Sequence, residues 1–161
     1  MRRTLILAAG ALFLAGCASS SAPATPAATT PDAATPSASL DPATALHAWA
    51  DDGGSAALST IGSDLTDVSN ALGQSDLTGA QAPCAKLTAD VETDQAGTPV
   101  PDKAAAAEWS LMLSHLQAAA ADCTTAAATG DSTKLDEASA ELSIGGNHLT
   151  AFTNRFKQVT G

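Results

Sequence analysis

Three cysteines, three histidines and a pair of adjacent aspartates are the residues whose types could do chemistry in this chain. A thiolate is a nucleophile and a metal ligand. Imidazole trades protons near neutral pH. Spacing decides whether either property is used. Cys17, Cys84 and Cys123 form no C-x-x-C, and H-E-x-x-H, G-x-x-x-x-G-K-[ST] and G-x-S-x-G are all missing from the sequence. No histidine stands at ligand spacing from a cysteine, so a metal centre is not expected. Asp51-Asp52 before Gly53-Gly54 lacks the spaced ligands and closing glutamate of a calcium loop and reads as a helix end. His115 is expected on the outer, solvated side of its helix. His148 flanks Leu149, with Glu141 and Arg155 along the same edge, and reads as a surface edge; a proton-sensing or metal edge is the alternative. His47, just ahead of Trp49, carries no stronger signal.

Cys17 stands in a different setting. Arg2 and Arg3 precede an apolar run from Leu5 to Leu14, and Ala15 and Gly16 are small enough for a peptidase pocket. The run is too short to span a membrane as a helix, which takes ~20 residues. Leu14-Ala15-Gly16-Cys17 resembles the lipobox of bacterial lipoproteins. In that family the cysteine thiol receives a diacylglyceryl group and the chain is cut just before it. The resemblance implies a signal peptide over 1–16, a lipidated Cys17 as first mature residue, and a protein held on the extracytoplasmic face of the cell membrane. An ordinary secretory signal with a chance cysteine is the alternative. Two acyl chains hold far more firmly than one, at ~0.8 kcal/mol per buried CH₂.

Loss of residues 1–16 leaves 5 basic against 17 acidic residues, a formal charge of −12. No basic patch remains, which excludes nucleic acid as a partner. Anionic headgroups repel such a surface, so any membrane attachment falls to the lipid. Aromatic content is 3 %, with no tyrosine, which is poor material for a ligand pocket or an interface hot spot. Residues 17–40 are nearly all Ala, Ser, Thr and Pro after the cysteine, with Pro23, Pro26, Pro31 and Pro36 evenly spread. Such a stretch lacks the apolar mass to offset ordering and is expected to be a disordered tether.

Residues 41–161 read as all-helical: a short helix followed by a four-helix up-and-down bundle. Asp41-Pro42 is a helix start, with a capping acceptor before a proline at the first helical position. Leu46 and Trp49 give this short helix its apolar side, and Gly53-Gly54 breaks or kinks it. Leu58, Ile61, Leu65, Val68 and Leu72 recur at three and four. So do Leu77, Ala80, Cys84, Leu87 and Val91. Trp109, Leu113, Leu116, Ala120, Cys123 and Ala127 follow, then Leu135, Ala138, Leu142, Gly145, Leu149, Phe152, Phe156 and Val159. That spacing belongs to helices packed side by side. Gly73 to Ser75, residues 96–101 and Thr129-Gly130-Asp131 separate them, and short connections make antiparallel neighbours. Pro83 predicts a kink or a late start in the second long helix. None of the four apolar stripes carries a titratable group other than cysteine, so a buried polar site is not expected.

Much of this core is alanine, which buries little area per residue, so an added fastener is expected. With Cys17 lipidated as the lipobox resemblance implies, Cys84 and Cys123 are left with one possible pairing. Export would place them in an oxidising space, where a disulfide persists; two buried free thiols are the alternative. Both stand on apolar stripes of different helices. Pairing them demands that residues 96–101, with Pro99 and Pro101, run extended along the bundle axis and that the helix after Asp102 project past its predecessor.

Trp109 and Gly145-Gly146 are the most pointed remaining features. Gly145 stands where a stripe residue is expected, and the reading is that a bulky neighbour, Trp109 or Trp49, needs the space. A small apolar pocket at the glycines is the alternative. Leu111 and Met112 point partly away from the stripe and are candidates for contact with the short helix or a partner. The whole order of parts is similar to small lipoproteins of high-GC bacteria, a resemblance that implies no particular activity. The expectation is a binding, structural or accessory protein of the cell envelope, with an envelope protein as candidate partner. It is not expected to be an enzyme or to carry a cofactor or metal. The alternative is a sensor or carrier of a small apolar ligand held between the helices.

Overall fold

Aspartate side chains open three of the helices. The computed structural model describes residues 40–74 and 77–161; the expected signal peptide, Cys17, residues 18–39 and Ser75 lie outside them. Helix α1 spans Pro42–Trp49, α2 Ser55–Gly73, α3 Leu77–Gln95, α4 Lys103–Thr129 and α5 Ser132–Thr160, and no strand occurs among the described residues. Asp41 accepts a hydrogen bond from the Thr44 amide at 3.3 Å, Asp102 from Ala105 at 2.8 Å, and Asp131 from Thr133 at 2.9 Å. Each answers a donor that the first helical turn leaves without an intrahelical partner. Gly130 ends α4 in the left-handed region at φ +73°, a conformation that glycine adopts without strain.

The chain bends between α1 and α2 at Asp52 and Gly53, the latter at φ +109°. Gly54 then lies directly under the Trp49 ring, where a Cβ would meet ring carbon at 2.5 Å. The bend expected at Gly53-Gly54 is therefore present, and Trp49 is why the second glycine is needed. The late start expected at Pro83 is not seen. α3 begins at Leu77, ahead of the proline, and runs on through it to Gln95, with Ala80 and Cys84 on either side of Pro83 in sequence fully buried.

α2 packs on α3, α3 on α4, and α4 on α5, while α5 returns to touch α2 and carries α1. Cross-helix pairs give the sense of packing. Asp102 meets Arg155, Glu108 meets His148, His115 meets Glu141 and Asp122 meets Lys134, so α4 and α5 run in opposite directions. Cys84 with Cys123, and Gln95 with Gln117, give the same result for α3 and α4. The Cys84–Cys123 pair joins α3 to α4 as a disulfide with Cα atoms 6.0 Å apart, and both residues are 0 % exposed.

Counted from the Cys84–Cys123 pair, Gln95 at the end of α3 is level with about Met112, so roughly 14 Å of α4 runs beyond the end of α3. The chain returns along this overhang through the 96–102 connector, whose Val100 is buried. The Trp49 indole N–H donates to the Thr98 carbonyl at 3.0 Å and ties α1 to it. Trp49, Trp109 and Phe152 meet there with ring centroids 5.3–5.7 Å apart, and Phe156 extends the cluster toward His47. All the aromatics of the described residues thus fill one end of the bundle, beneath α1.

Three expectations about the interior need correction. Met112 is fully buried rather than turned outward, because α4 lies between α3 and α5 and buries a broader arc than a single stripe; its neighbour Leu111 is 45 % exposed. Gly145 makes room for Leu116, not for a tryptophan: a Cβ there would lie 2.7 Å from Leu116 Cδ2. Gly146 faces open space. Finally, the interior does hold a carboxylate. Asp64 on α2 is 1 % exposed and occupies the register position that Leu65 was expected to hold, while Leu65 is only half-buried.

Candidate functional site

Three groupings of polar side chains stand on this scaffold. The first is Asp64. Its Oδ1 receives the Lys86 ammonium of α3 at 2.5 Å, and Lys86 also reaches Asp90 at 2.6 Å, one turn on. Burial pushes the Asp64 carboxyl up against the downward pull of Lys86. Hydrogen bonding to Lys86 holds Asp90 below the usual carboxylate value. Two carboxylates in turn raise the Lys86 ammonium. This is a pinned ion pair between α2 and α3, with the lysine stem reaching to solvent.

The second grouping is a ladder along the α4–α5 edge. His115 Nδ1 lies 2.6 Å from Glu141 Oε2, and His148 Nδ1 lies 2.8 Å from Glu108 Oε2. A carboxylate can only accept, so the neutral ring carries its proton on Nδ1. The two imidazoles stack, with centroids 5.4 Å apart and planes 8° from parallel. His115 is thus half-buried across the edge rather than free in solvent as expected. His148 pairs with Glu108 on α4, not with Glu141 or Arg155 on its own helix. Gly145 lies between them and lets α5 approach Leu116 and the His115 Cβ. Asp122–Lys134 and the bidentate Asp102–Arg155 pair close the two ends of the ladder. Arg155, followed by the Ala105 amide, holds the Asp102 carboxyl down at about 2. Leu111 and Ile144, both exposed, stand one turn from His115 and His148.

The third grouping lies at the aromatic end. Two surface clefts, of about 340 and 230 Å³, flank residues 97–99 of the connector, and Asp94, Gly97, Thr98 and Trp109 line both. Asp94 stands in the last turn of α3. Burial pushes its carboxyl up, and the Asp90 and Asp64 charges add to the push. Its Oδ2 is buried and has no hydrogen-bond partner among the described residues.

The sequence-based candidates therefore separate. Trp49 and Trp109 meet at the aromatic end and both border the smaller cleft. Met112 and Gly145 are interior. Leu111 and Gly146 face outward on different helices. Cys84 and Cys123 pair, and Cys17 lies outside the described residues. Asp64 and Asp94 were missed, yet both keep the three-four register: Ile61, Asp64, Val68, and Leu87, Val91, Asp94. The ladder also had a signal, since Glu108 to His115 and Glu141 to His148 share one spacing.

Among the described residues no group of three or more His, Cys, Asp or Glu is placed to hold a metal ion, and no helix is long and apolar enough to cross a membrane. Comparison with known proteins finds no matching family model, no matching curated protein and no matching solved structure.

Proposed function

We propose that this chain is a lipid-anchored, extracytoplasmic binding or accessory domain of the cell envelope: an up-and-down helical bundle carried on a disordered 17–40 tether by acyl chains at Cys17. The observation that carries the address is the coincidence of Arg2-Arg3, the apolar 5–14 run and Leu14-Ala15-Gly16-Cys17. Support for binding at the surface, rather than carriage of an apolar ligand inside, comes from the aromatic end. Trp49, Trp109 and Phe152 pack ring against ring there, and the clefts open outside them, around the connector. The exposed Leu111 and Ile144 on the α4–α5 edge offer a second surface for an envelope protein.

The test is mass spectrometry of the N-terminal peptide of the protein purified from a bacterial host. A peptide beginning at Cys17 and carrying a diacylglyceryl mass is expected, together with partition of the whole protein into detergent. A mature N-terminus elsewhere, or an unmodified Cys17, would overturn the anchor.

A further inference from the structure

We propose that the paired clefts flanking residues 97–99 bind a small organic cation, with the Asp94 carboxylate as counter-ion and Trp109 as apolar wall. This names a ligand class for the binding reading above and does not depend on the lipid at Cys17. Four observations carry it.

Asp94 is a carboxylate without a matching cation. Its Oδ2 is buried and accepts no hydrogen bond among the described residues. Lys86 is committed to Asp64 and Asp90, Lys134 to Asp122 and Glu137, and Arg155 to Asp102, while Lys103 and Lys157 line neither cleft. Such a group costs free energy, and the residue as a whole is only half-buried and lines both clefts, so a cation there offsets its charge through space.

The charges that act on Asp94 are negative. Asp90 lies one turn back on α3, and Asp64 contributes from α2. Asp52, from the bend after α1, lines the smaller cleft. The carboxylate also sits in the last turn of α3, where the helix presents its partially negative pole. No Lys or Arg lines either cleft. An anion is excluded, and a cation is attracted before any contact is made.

The walls suit a cation with an organic body. Trp109 and Leu113, both nearly buried, give the cleft an apolar wall for the organic body. Ser110, Ser114 and Gln117 set a polar rim on the α4 side. A metal ion asks for several oxygen or nitrogen ligands at once, and no such group is assembled among the described residues.

The size also fits. About 340 Å³ is at the lower bound of the range for small-molecule pockets. The connector between the clefts is held from behind by the Trp49 indole on the Thr98 carbonyl, so the site is preformed.

Trp49 and Trp109 are the only tryptophans of the chain and both border this site, so tryptophan emission reports on it. The full chain in detergent is titrated with n-butylammonium, benzylammonium and choline, and with n-butanol and n-butyrate as neutral and anionic counterparts. At least one cation is expected to give a saturable change in emission, with n-butanol and n-butyrate giving none. Asp94→Asn is expected to weaken that binding about tenfold or more, the loss attached to a charge-assisted contact. This variant removes an unpaired buried charge, so it should fold at least as well as the parent by circular dichroism. Asp67→Asn, which removes an exposed charge on α2, should leave the affinity unchanged. Absence of saturable change with all three cations overturns the proposal. So does equal binding of n-butanol, an unaltered affinity in Asp94→Asn, or an equal loss in Asp67→Asn. None of these outcomes bears on the acyl mass at Cys17, so the two readings fail separately.

Discussion

Removal of the Cys84–Cys123 crosslink is the perturbation with the largest calculable effect. The pair closes a loop of 39 residues. In the chain-entropy account, a loop of that length restricts the unfolded chain by ~4 kcal/mol at 25 °C. A helical domain of about 120 residues holds on the order of 5–15 kcal/mol in total, so about a quarter or more of it rests on one bond. The Cys84→Ala/Cys123→Ala variant should lower the thermal midpoint by ~15 °C, taking an unfolding entropy of ~2.1 cal/mol/K per residue. Urea unfolding should show the same loss as an earlier midpoint. Both sulfurs are 0 % exposed, so dithiothreitol should reduce the native protein slowly and the rate should climb with urea, because the bond is reached only through opening. A loss below ~1 kcal/mol in the double variant would refute the reasoning. The thin alanine core would then be sufficient alone, and the crosslink a consequence of helix proximity rather than a support.

The other predictions concern the α4–α5 edge and the corrected core positions. Asp102→Ala removes both an N-cap and a bidentate partner of Arg155; with ~1 kcal/mol for each, the loss in urea unfolding should be ~2 kcal/mol. The Asp102 carboxyl is held down to about 2 from an ordinary 3.8, so its contribution is complete above pH ~4 and is lost as pH falls toward 2; the deficit of Asp102→Ala should shrink over that window. Gly145→Ala places a methyl 2.7 Å from Leu116 Cδ2 and 3.1 Å from Cγ, so it should cost ~1–3 kcal/mol by calorimetry, whereas Gly146→Ala, with open space around it, should be neutral or slightly stabilising. Met112→Ala should cost ~2–5 kcal/mol and the adjacent Leu111→Ala under ~1 kcal/mol; equal losses would mean that α4 is rotated from the orientation described.

The helices were legible in the sequence because each apolar stripe repeats at three and four, because Asp41 and Asp131 cap helix starts with their side chains, and because Gly130 marks the reversal between α4 and α5. The overhang of α4 was legible for a different reason. Two sulfurs must meet, and the unequal arms from Cys84 and Cys123 to the connector then require residues 96–101 to travel along the axis. What failed was the choice of face within a stripe. Asp64 and Leu65 are adjacent, and hydrophobicity favours Leu65 as the inward residue. The inward position instead belongs to Asp64, whose Oδ1 is paired by Lys86 from another helix while its Oδ2 has no partner among the described residues, and no local pattern discloses that lysine. Met112 was misplaced for the same reason: a single stripe describes a helix with one neighbour, and α4 has two. The His115–His148 stack depends on the relative height of α4 and α5, which is set by Leu116 seating against Gly145, so it could not be read from either helix alone.

Alanine in this interior is more than a shortage of apolar area. An inter-helix disulfide needs Cα atoms within ~4.4–6.8 Å, while helix axes ordinarily lie 8–10 Å apart depending on the side chains between them. The observed 6.0 Å asks for small residues around the bond. Ala80 stands one turn before Cys84, and Ala119, Ala120 and Ala126 stand one turn to either side of Cys123, all fully buried. The aromatic residues are gathered at the opposite end, where α4 outruns α3 and an open flank must be filled by Trp49, Trp109 and Phe152. Exchanging the two ends would fail in both directions. Tryptophans beside the cysteines would hold the axes too far apart to bond, and alanines beneath α1 would leave the connector with nothing to rest on. The alanine content that makes the bundle need a crosslink is therefore the same property that permits one. The two clefts beside Trp109 flank the 96–102 connector, where a non-helical strip of backbone rather than a helix covers the core.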